Sequence, residues 1–80
     1  MDNFLGEISL LPYGFTPVGW EICDGRKLSI NQYQALYSLL GMKFGGDGTS
    51  NFALPDLRGK APAPNMAYYI ALNGIYPDRG

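Results

Sequence analysis

The chain has 80 residues, a formal charge of −1, one cysteine and no histidine. That inventory excludes an internal disulfide and a Cys/His zinc site, and the charge gives no electrostatic reason to bind nucleic acid or an anionic membrane. A domain of this size buries only about 60% of the surface its unfolded chain exposes, so its core is marginal unless packing or self-association reinforces it. One tryptophan, six tyrosines and four phenylalanines accompany eleven glycines and six prolines, which predicts a compact, turn-rich, aromatic-packed fold.

The stretch Glu7-Ile8-Ser9-Leu10 alternates polar and apolar residues, as a half-buried strand does, and predicts a first strand around residues 5 to 11. Pro12 ends it or marks it as an edge strand, because proline has no ladder donor. Gly14, Pro17 and Gly19 mark a loop. Trp20-Glu21-Ile22-Cys23 alternates again, Trp20 and Ile22 on one face, Glu21 and Cys23 on the other, before the turn pair Asp24-Gly25. An extended piece over Arg26 to Leu28 follows.

A helix is predicted at about residues 31 to 40. Tyr33, Leu36, Tyr37 and Leu40 share one face, Asn31 with Gln34 makes a capping box, and Gly41 terminates. Ser29 with Gln32 is a competing start. Residues 41 to 51 form a Gly-rich loop, and Phe52, Leu54 and Leu57 are expected as buried anchors beneath an irregular segment. Ala61-Pro62-Ala63-Pro64 reads as a stiff spacer. The clearest second strand is residues 66 to 76, with Tyr68, Ile70 and Leu72 on one face, Tyr69, Ala71 and Asn73 on the other, and Gly74 as a bulge. A polar tail, Pro77-Asp78-Arg79-Gly80, closes the chain.

The sequence carries little reaction chemistry. Gly45-Gly46-Asp47-Gly48 lacks the Gly-Lys-Ser/Thr ending of a phosphate loop and follows a helix, so it reads as a tight turn. Asp24, Asp47 and Asp56 are too widely spread for a calcium loop and fit turn or capping roles, so no metal is expected. Cys23 has no histidine partner, and Glu7 and Glu21 occupy solvent-facing strand positions; no catalytic residue and no cofactor are expected. One binding set remains: Arg58 and Lys60 beside the Gly-rich loop, with Asp47 and a stacking face from Tyr69, placed for a glycan or a small anionic ligand. Against it stands a plainer reading in which the aromatics fill the core and Arg58 pairs with Asp56. No apolar run approaches the roughly 20 residues of a membrane-spanning helix. Asp2 with no basic residue around it argues against a secretory signal, and the unpaired cysteine fits a bacterial cytoplasm.

Four blocks together carry a resemblance. Gly6-Glu7-Ile8 with Gly14-Phe15-Thr16-Pro17-Val18-Gly19-Trp20-Glu21-Ile22-Cys23-Asp24-Gly25 resembles the opening of phage tail collar domains. Ala35-Leu36-Tyr37-Ser38-Leu39-Leu40-Gly41 with Phe44-Gly45-Gly46-Asp47-Gly48 is similar to their middle. Phe52-Ala53-Leu54-Pro55-Asp56-Leu57-Arg58-Gly59 is the most specific block, and Tyr69 to Pro77 resembles the closing strand of the microcystin-dependent-protein branch. The resemblance implies a structural, non-catalytic module of tail fibres or tail-like particles, located in the virion tail. It also implies association with itself, as a trimer in the fibres, and with other tail proteins. Members of that family carry a long insertion between the Arg-Gly block and the last strand, a region that contributes to the fibre tip. Here Gly59 and Tyr69 are joined by a short proline-rich piece, a minimal form, and two roles stay open: a scaffold for assembly, or a stand-alone binder of a sugar or nucleotide.

The expected fold is a single α+β domain with a small mixed or antiparallel sheet, one helix, a long ordered Gly/Pro-rich loop, and its two end strands side by side. The expected core is Ile8, Leu10, Trp20, Ile22, Leu36, Leu40, Phe52, Leu54, Leu57, Ile70 and Leu72.

Overall fold

The computed structural model describes residues 3–77; Asp2 and the tail residues Asp78, Arg79 and Gly80 lie outside the described residues. The chain forms β1 (Ile8–Pro12), β2 (Trp20–Ile22), β3 (Lys27–Ser29), α1 (Gln34–Leu40), β4 (Asn51–Ala53) and β5 (Met66–Ala71). Every strand pairing is antiparallel, and the strands make two sheets, one ordered β1-β5-β2 and the other β3-β4. This is the expected α+β class.

The last strand is the middle of the larger sheet. Met66-Ala67-Tyr68-Tyr69-Ile70-Ala71 is apolar on both faces, so it needs neighbours on both edges and cover on both sides. Ile8 lies opposite Ile70 and Pro12 opposite Met66, while Trp20 lies opposite Ala71 and Ile22 opposite Tyr69. The two ends of the chain are therefore adjacent, as expected, and a parallel bridge between Phe4 and Ile75 extends the contact.

β1 starts at Ile8, later than the expected residue 5, because a bulge precedes it. Gly6, at φ 80°, donates to the Ala71 carbonyl at 2.9 Å, and the Ala71 N–H donates to the Glu7 carbonyl at 2.9 Å. Two residues thus oppose one, with glycine in the left-handed position that a side chain disfavours. Glu7 Oε1 accepts the Phe4 N–H at 3.0 Å and holds the turn before the bulge. Pro12 is the last residue of an edge strand, where the sequence allowed it. β5 stops at Ala71, short of the expected residue 76. The Leu72 N–H still donates to the Gly19 carbonyl in the β2–β5 register, and Gly74 belongs to the return towards Phe4, not to a bulge within the strand.

The smaller sheet is the centre of a longer ladder. The Leu57 N–H donates to Cys23, Gly25 to Pro55, Leu54 to Arg26 and Ile30 to Ser50, all in the register of Leu28 opposite Phe52. The segment expected to be irregular from Phe52 onward thus begins as strand β4. Regular pairing fails at Pro55, which has no N–H to return.

The same ladder displaces the helix start. Ile30 is still bonded to Ser50, so the chain must turn before it can coil, and the Tyr33 N–H donates to the Ser29 and Ile30 carbonyls. The helix begins at Gln34, with Tyr33 at the cap position and no side-chain cap bond; Asn31 is exposed and caps nothing. Gly41 terminates it as expected, at φ 58°, with its N–H on the Tyr37 carbonyl. Two helical turns are not stable alone. This helix is held by Leu36, which is buried, and by Tyr33, Tyr37, Leu39 and Leu40 packed against the core.

The core cluster is Leu5, Cys23, Leu36, Phe52, Leu54 and Ile70. Phe52, fully buried with its ring centroid 5.4 Å from that of Tyr37, contributes about 1.5–3 kcal/mol. Of the expected core, Leu36, Phe52, Leu54 and Ile70 are buried; Leu10, Trp20, Ile22, Leu40, Leu57 and Leu72 are half-buried, and Ile8 is 44% exposed. The sheet explains the difference. Its face carrying Ile70 and Cys23 meets the core cluster that holds α1 and β4, so in β2 the Cys23 side is inward and the Trp20–Ile22 side is not. The opposite face, with Tyr69 and Ala71, is covered near Tyr69 by the turn after β1. There Tyr69 Oη accepts the Gly14 N–H at 3.1 Å and donates to the Pro12 carbonyl at 3.4 Å.

Candidate functional site

A reaction centre needs at least one polar group that is not committed to a structural partner. Asp24 and Asp56 pair as an antiparallel bridge that continues the β3–β4 register. Asp24 takes Arg26 Nε and Nη2 at 3.0 Å each, and Arg26 Nη1 also reaches Glu21 at 3.1 Å. Asp56 takes Arg58 Nε at 2.9 Å and Nη2 at 2.7 Å. Each aspartate also accepts the backbone N–H of its own arginine. These bonds hold the Asp24 carboxyl below the usual range, through Arg26, and lower Asp56 to about 2, through Arg58.

Asp47 organises the Gly-rich loop. Its Oδ1 accepts the N–H groups of Thr49, Ser50 and Asn51, and its Oδ2 accepts Ser50 Oγ and Asn51 Nδ2. The amides of Ser50, Thr49 and Asn51 hold its carboxyl well below the usual carboxylate range. The loop passes close over β4: a Cβ at Gly46 would lie 2.5 Å from Phe52 Cα, which is why glycine is required there. All three aspartates are shifted downward, opposite to the direction that poises a carboxyl for proton transfer near neutrality.

A cleft of about 210 Å³ opens between β2, β5 and the proline-rich segment, lined by Tyr13, Ile22, Cys23, Arg58, Met66 and Tyr68 among others. The thiol at its floor is 2% exposed. Burial, with a smaller contribution from the Asp24 charge, pushes it up to about 11, so it stays protonated and is a poor nucleophile. Of the residues expected to bind a ligand, Arg58 lines this cleft. Lys60 is exposed on the turn after it, Asp47 sits in the Gly-rich loop, and neither lines the cleft. Tyr69 is 1% exposed, inside the sheet. The four are not brought to one place.

The structure also shows what sequence reasoning missed. Phe4, Ile8, Tyr13, Phe15, Val18, Phe44, Ile75 and Tyr76 are exposed. Aromatics expected to fill the core stand outside it. The turn after β1 is the extreme case, with Tyr13 at 69%, Phe15 at 59% and Val18 fully exposed. The signal was present: apolar residues interleaved with Pro12, Gly14, Pro17 and Gly19 sit on turns, which stay at the surface.

Residues 6–62 match the Phage Tail Collar Domain family. The chain belongs to that family. No curated protein matches it. The family makes this collar domain a structural module of phage tail fibres, and the geometry gives its sequence blocks physical reasons. Gly6-Glu7-Ile8 is the bulge, Cys23-Asp24-Gly25 and Leu54-Pro55-Asp56-Leu57 are the two sides of one ladder, and Gly46 is the close approach over Phe52. The match ends before β5, so the strand at the centre of the larger sheet lies beyond the matched residues. Among the described residues, no helix is long and apolar enough to cross a membrane.

Proposed function

We propose that this collar domain is a non-catalytic assembly module of a tail fibre or tail-like particle that works as a homo-oligomer beside other tail proteins. The observation that carries the reading is the apolar exterior of so small a domain: Phe15 and Val18 on the turn after β1, with Phe4, Ile75 and Tyr76 where the chain ends meet. Apolar exposure on this scale marks interaction surfaces. The engaged aspartates and the protonated thiol support a role in contact, not in reaction. The closing strand's resemblance to the microcystin-dependent-protein branch supports a minimal collar, scaffold without tip. Light scattering at tens of micromolar tests it: an oligomer is expected, and a fully stable monomer contradicts it.

The cleft favours a second reading, a stand-alone binder of a sugar or nucleotide, with Arg58 at the rim and Tyr13 and Tyr68 in the lining. A thermal-shift screen across glycans and nucleotides decides it. A rise in melting temperature that disappears in Arg58→Ala supports binding; no rise with any ligand removes the reading.

A further inference from the structure

We propose that the outer face of the larger sheet binds a neutral pyranose sugar, in a groove between β1 and Trp20. Ser9 and Ile22 both lie opposite Tyr69, and Trp20 lies opposite Ala71, so Ser9, Leu11, Trp20 and Ile22 share the face turned away from the core cluster. On that face a groove of about 430 Å³ has Glu7, Ser9 and Leu11 on the strand side, together with Asn3. Phe15 and Pro17 from the turn after β1, and Trp20 from the start of β2, complete it. This site stands apart from the Arg58 cleft of the second reading above and does not depend on it.

The lining divides into aromatic and polar parts. Trp20 is half-buried and Phe15 is 59% exposed, so a ligand in the groove has ring surface to cover. On the polar side, Asn3 Nδ2 donates to the Asn73 carbonyl at 2.8 Å, and Glu7 Oε1 accepts the Phe4 N–H at 3.0 Å. Those bonds hold the two side chains in place. Among the described residues, Asn3 Oδ1, Glu7 Oε2 and Ser9 Oγ have no hydrogen-bond partner. Two fixed acceptors and a hydroxyl take hydroxyl donors at little ordering cost. A pyranose has both matching parts: C–H hydrogens for the electron-rich ring faces, and hydroxyls around its edge.

Charge and size narrow the class. Glu7 is the one charged residue in the lining, so an acidic sugar or a nucleotide would meet a carboxylate with no cation to offset it. A cationic ligand would gain little from a single exposed carboxylate and would leave Asn3 and Ser9 unused. The groove falls within the roughly 300–1,000 Å³ of small-molecule sites, and the Arg58 cleft, at about 210 Å³, falls below it. A hollow of equal volume lies beside the chain ends, but of its lining residues Phe4, Leu5, Gly6, Glu7 and Pro77, only Glu7 has a polar side chain. Val18, Ile75 and Tyr76 do not line the groove, so a sugar there leaves most of the apolar exterior free for association.

The test uses the 80-residue chain, whose one tryptophan is Trp20. Three neutral probes are titrated: methyl β-glucoside, methyl β-galactoside and methyl N-acetyl-β-glucosaminide. At least one is expected to change Trp20 emission with a Kd on the order of 1 mM, and to shift the amide signals of Ser9, Leu11, Phe15 and Trp20. The matching methyl β-glucuronide is expected to bind about tenfold more weakly, a gap that narrows in Glu7→Gln. Phe15→Ala, at an exposed turn position, is expected to weaken the neutral sugar about three- to tenfold, with circular dichroism confirming the fold. Shifts confined to Arg58, Tyr68 and Met66, and abolished in Arg58→Ala, overturn the groove and leave the second reading standing. A response to tetramethylammonium and to no sugar overturns the proposal and assigns the groove to a cation. Trp20 emission that follows protein concentration and ignores every sugar overturns it and assigns the groove to a second copy. Silence from all three neutral probes overturns the site, whether or not a nucleotide raises the melting temperature.

Discussion

Asp24 and Asp56 face each other across an antiparallel bridge, and each clamps the arginine two residues further along the chain. Like charges placed directly opposite are unfavourable in a ladder, so Arg26 and Arg58 are what allow this ladder to close. Arg58→Ala is expected to raise the Asp56 carboxyl from about 2 into the ordinary range near 4 or above it. A carboxyl-resolved NMR titration reads this directly; an Asp56 value that stays near 2 would show that the clamp is not its cause.

Acid should unfold the domain through the same groups. Asp24, Asp47 and Asp56 are all lowered in the folded chain. As pH falls, the unfolded chain takes up protons first, so the stability these groups contribute is complete above about pH 5 and is lost as pH drops through the folded values. Asp47→Ala is expected to melt below the wild type at pH 7, with the two curves converging towards about pH 2. Melting temperatures measured across that window check it; parallel curves would contradict the role given to the Asp47 carboxylate.

Gly46 and Gly6 both hold a positive φ, but their surroundings differ. At Gly6 an added Cβ meets Leu39 and Leu36 at ordinary distances, 3.6 and 3.7 Å, so Gly6→Ala costs only the conformational penalty of about 1–2 kcal/mol. At Gly46 it meets Phe52 Cα at 2.5 Å and the Asn51 carbonyl at 2.9 Å. Gly46→Ala should add overpacking of about 1–3 kcal/mol to the backbone cost. Denaturant melts of the two variants give the comparison; equal losses would mean that the loop moves off β4 freely.

β5 lies outside the matched family segment yet joins β1 to β2, which do not pair with each other. Ile70→Ala is expected to cost about 2–5 kcal/mol, a large share of the roughly 5–15 kcal/mol that a folded domain holds. Deleting the chain after Pro62 should abolish folding altogether. Circular dichroism decides: a cooperative melt from the shortened chain would mean that the collar core closes without β5.

Much of this arrangement was legible in the sequence. The helix face around Leu36 and the stop at Gly41 follow from periodicity and turn chemistry, and the nearness of the first and last strands from the tendency of the two ends of a small domain to meet. The Asn31 cap failed because a long-range bond, Ile30 to Ser50, held the chain extended past the point where local signals favoured a helix. The faces of β2 were misjudged because alternation says which residues share a side but not which side is covered; tertiary packing chose Cys23 over Trp20. The binding set of Arg58, Lys60, Asp47 and Tyr69 was assembled from residues near in sequence or type. Folding committed Arg58 to Asp56, committed Asp47 to its own loop and buried Tyr69. The exposed aromatics were missed because hydrophobicity alone does not separate a core from a contact surface.

On the homo-oligomer reading proposed above, this domain relies on copies of itself for part of its stability. Melting temperature as a function of protein concentration, over about a hundredfold range, measures that reliance. A melting temperature that climbs steadily with concentration is expected; one that stays fixed while a single-subunit mass is recorded throughout would contradict it.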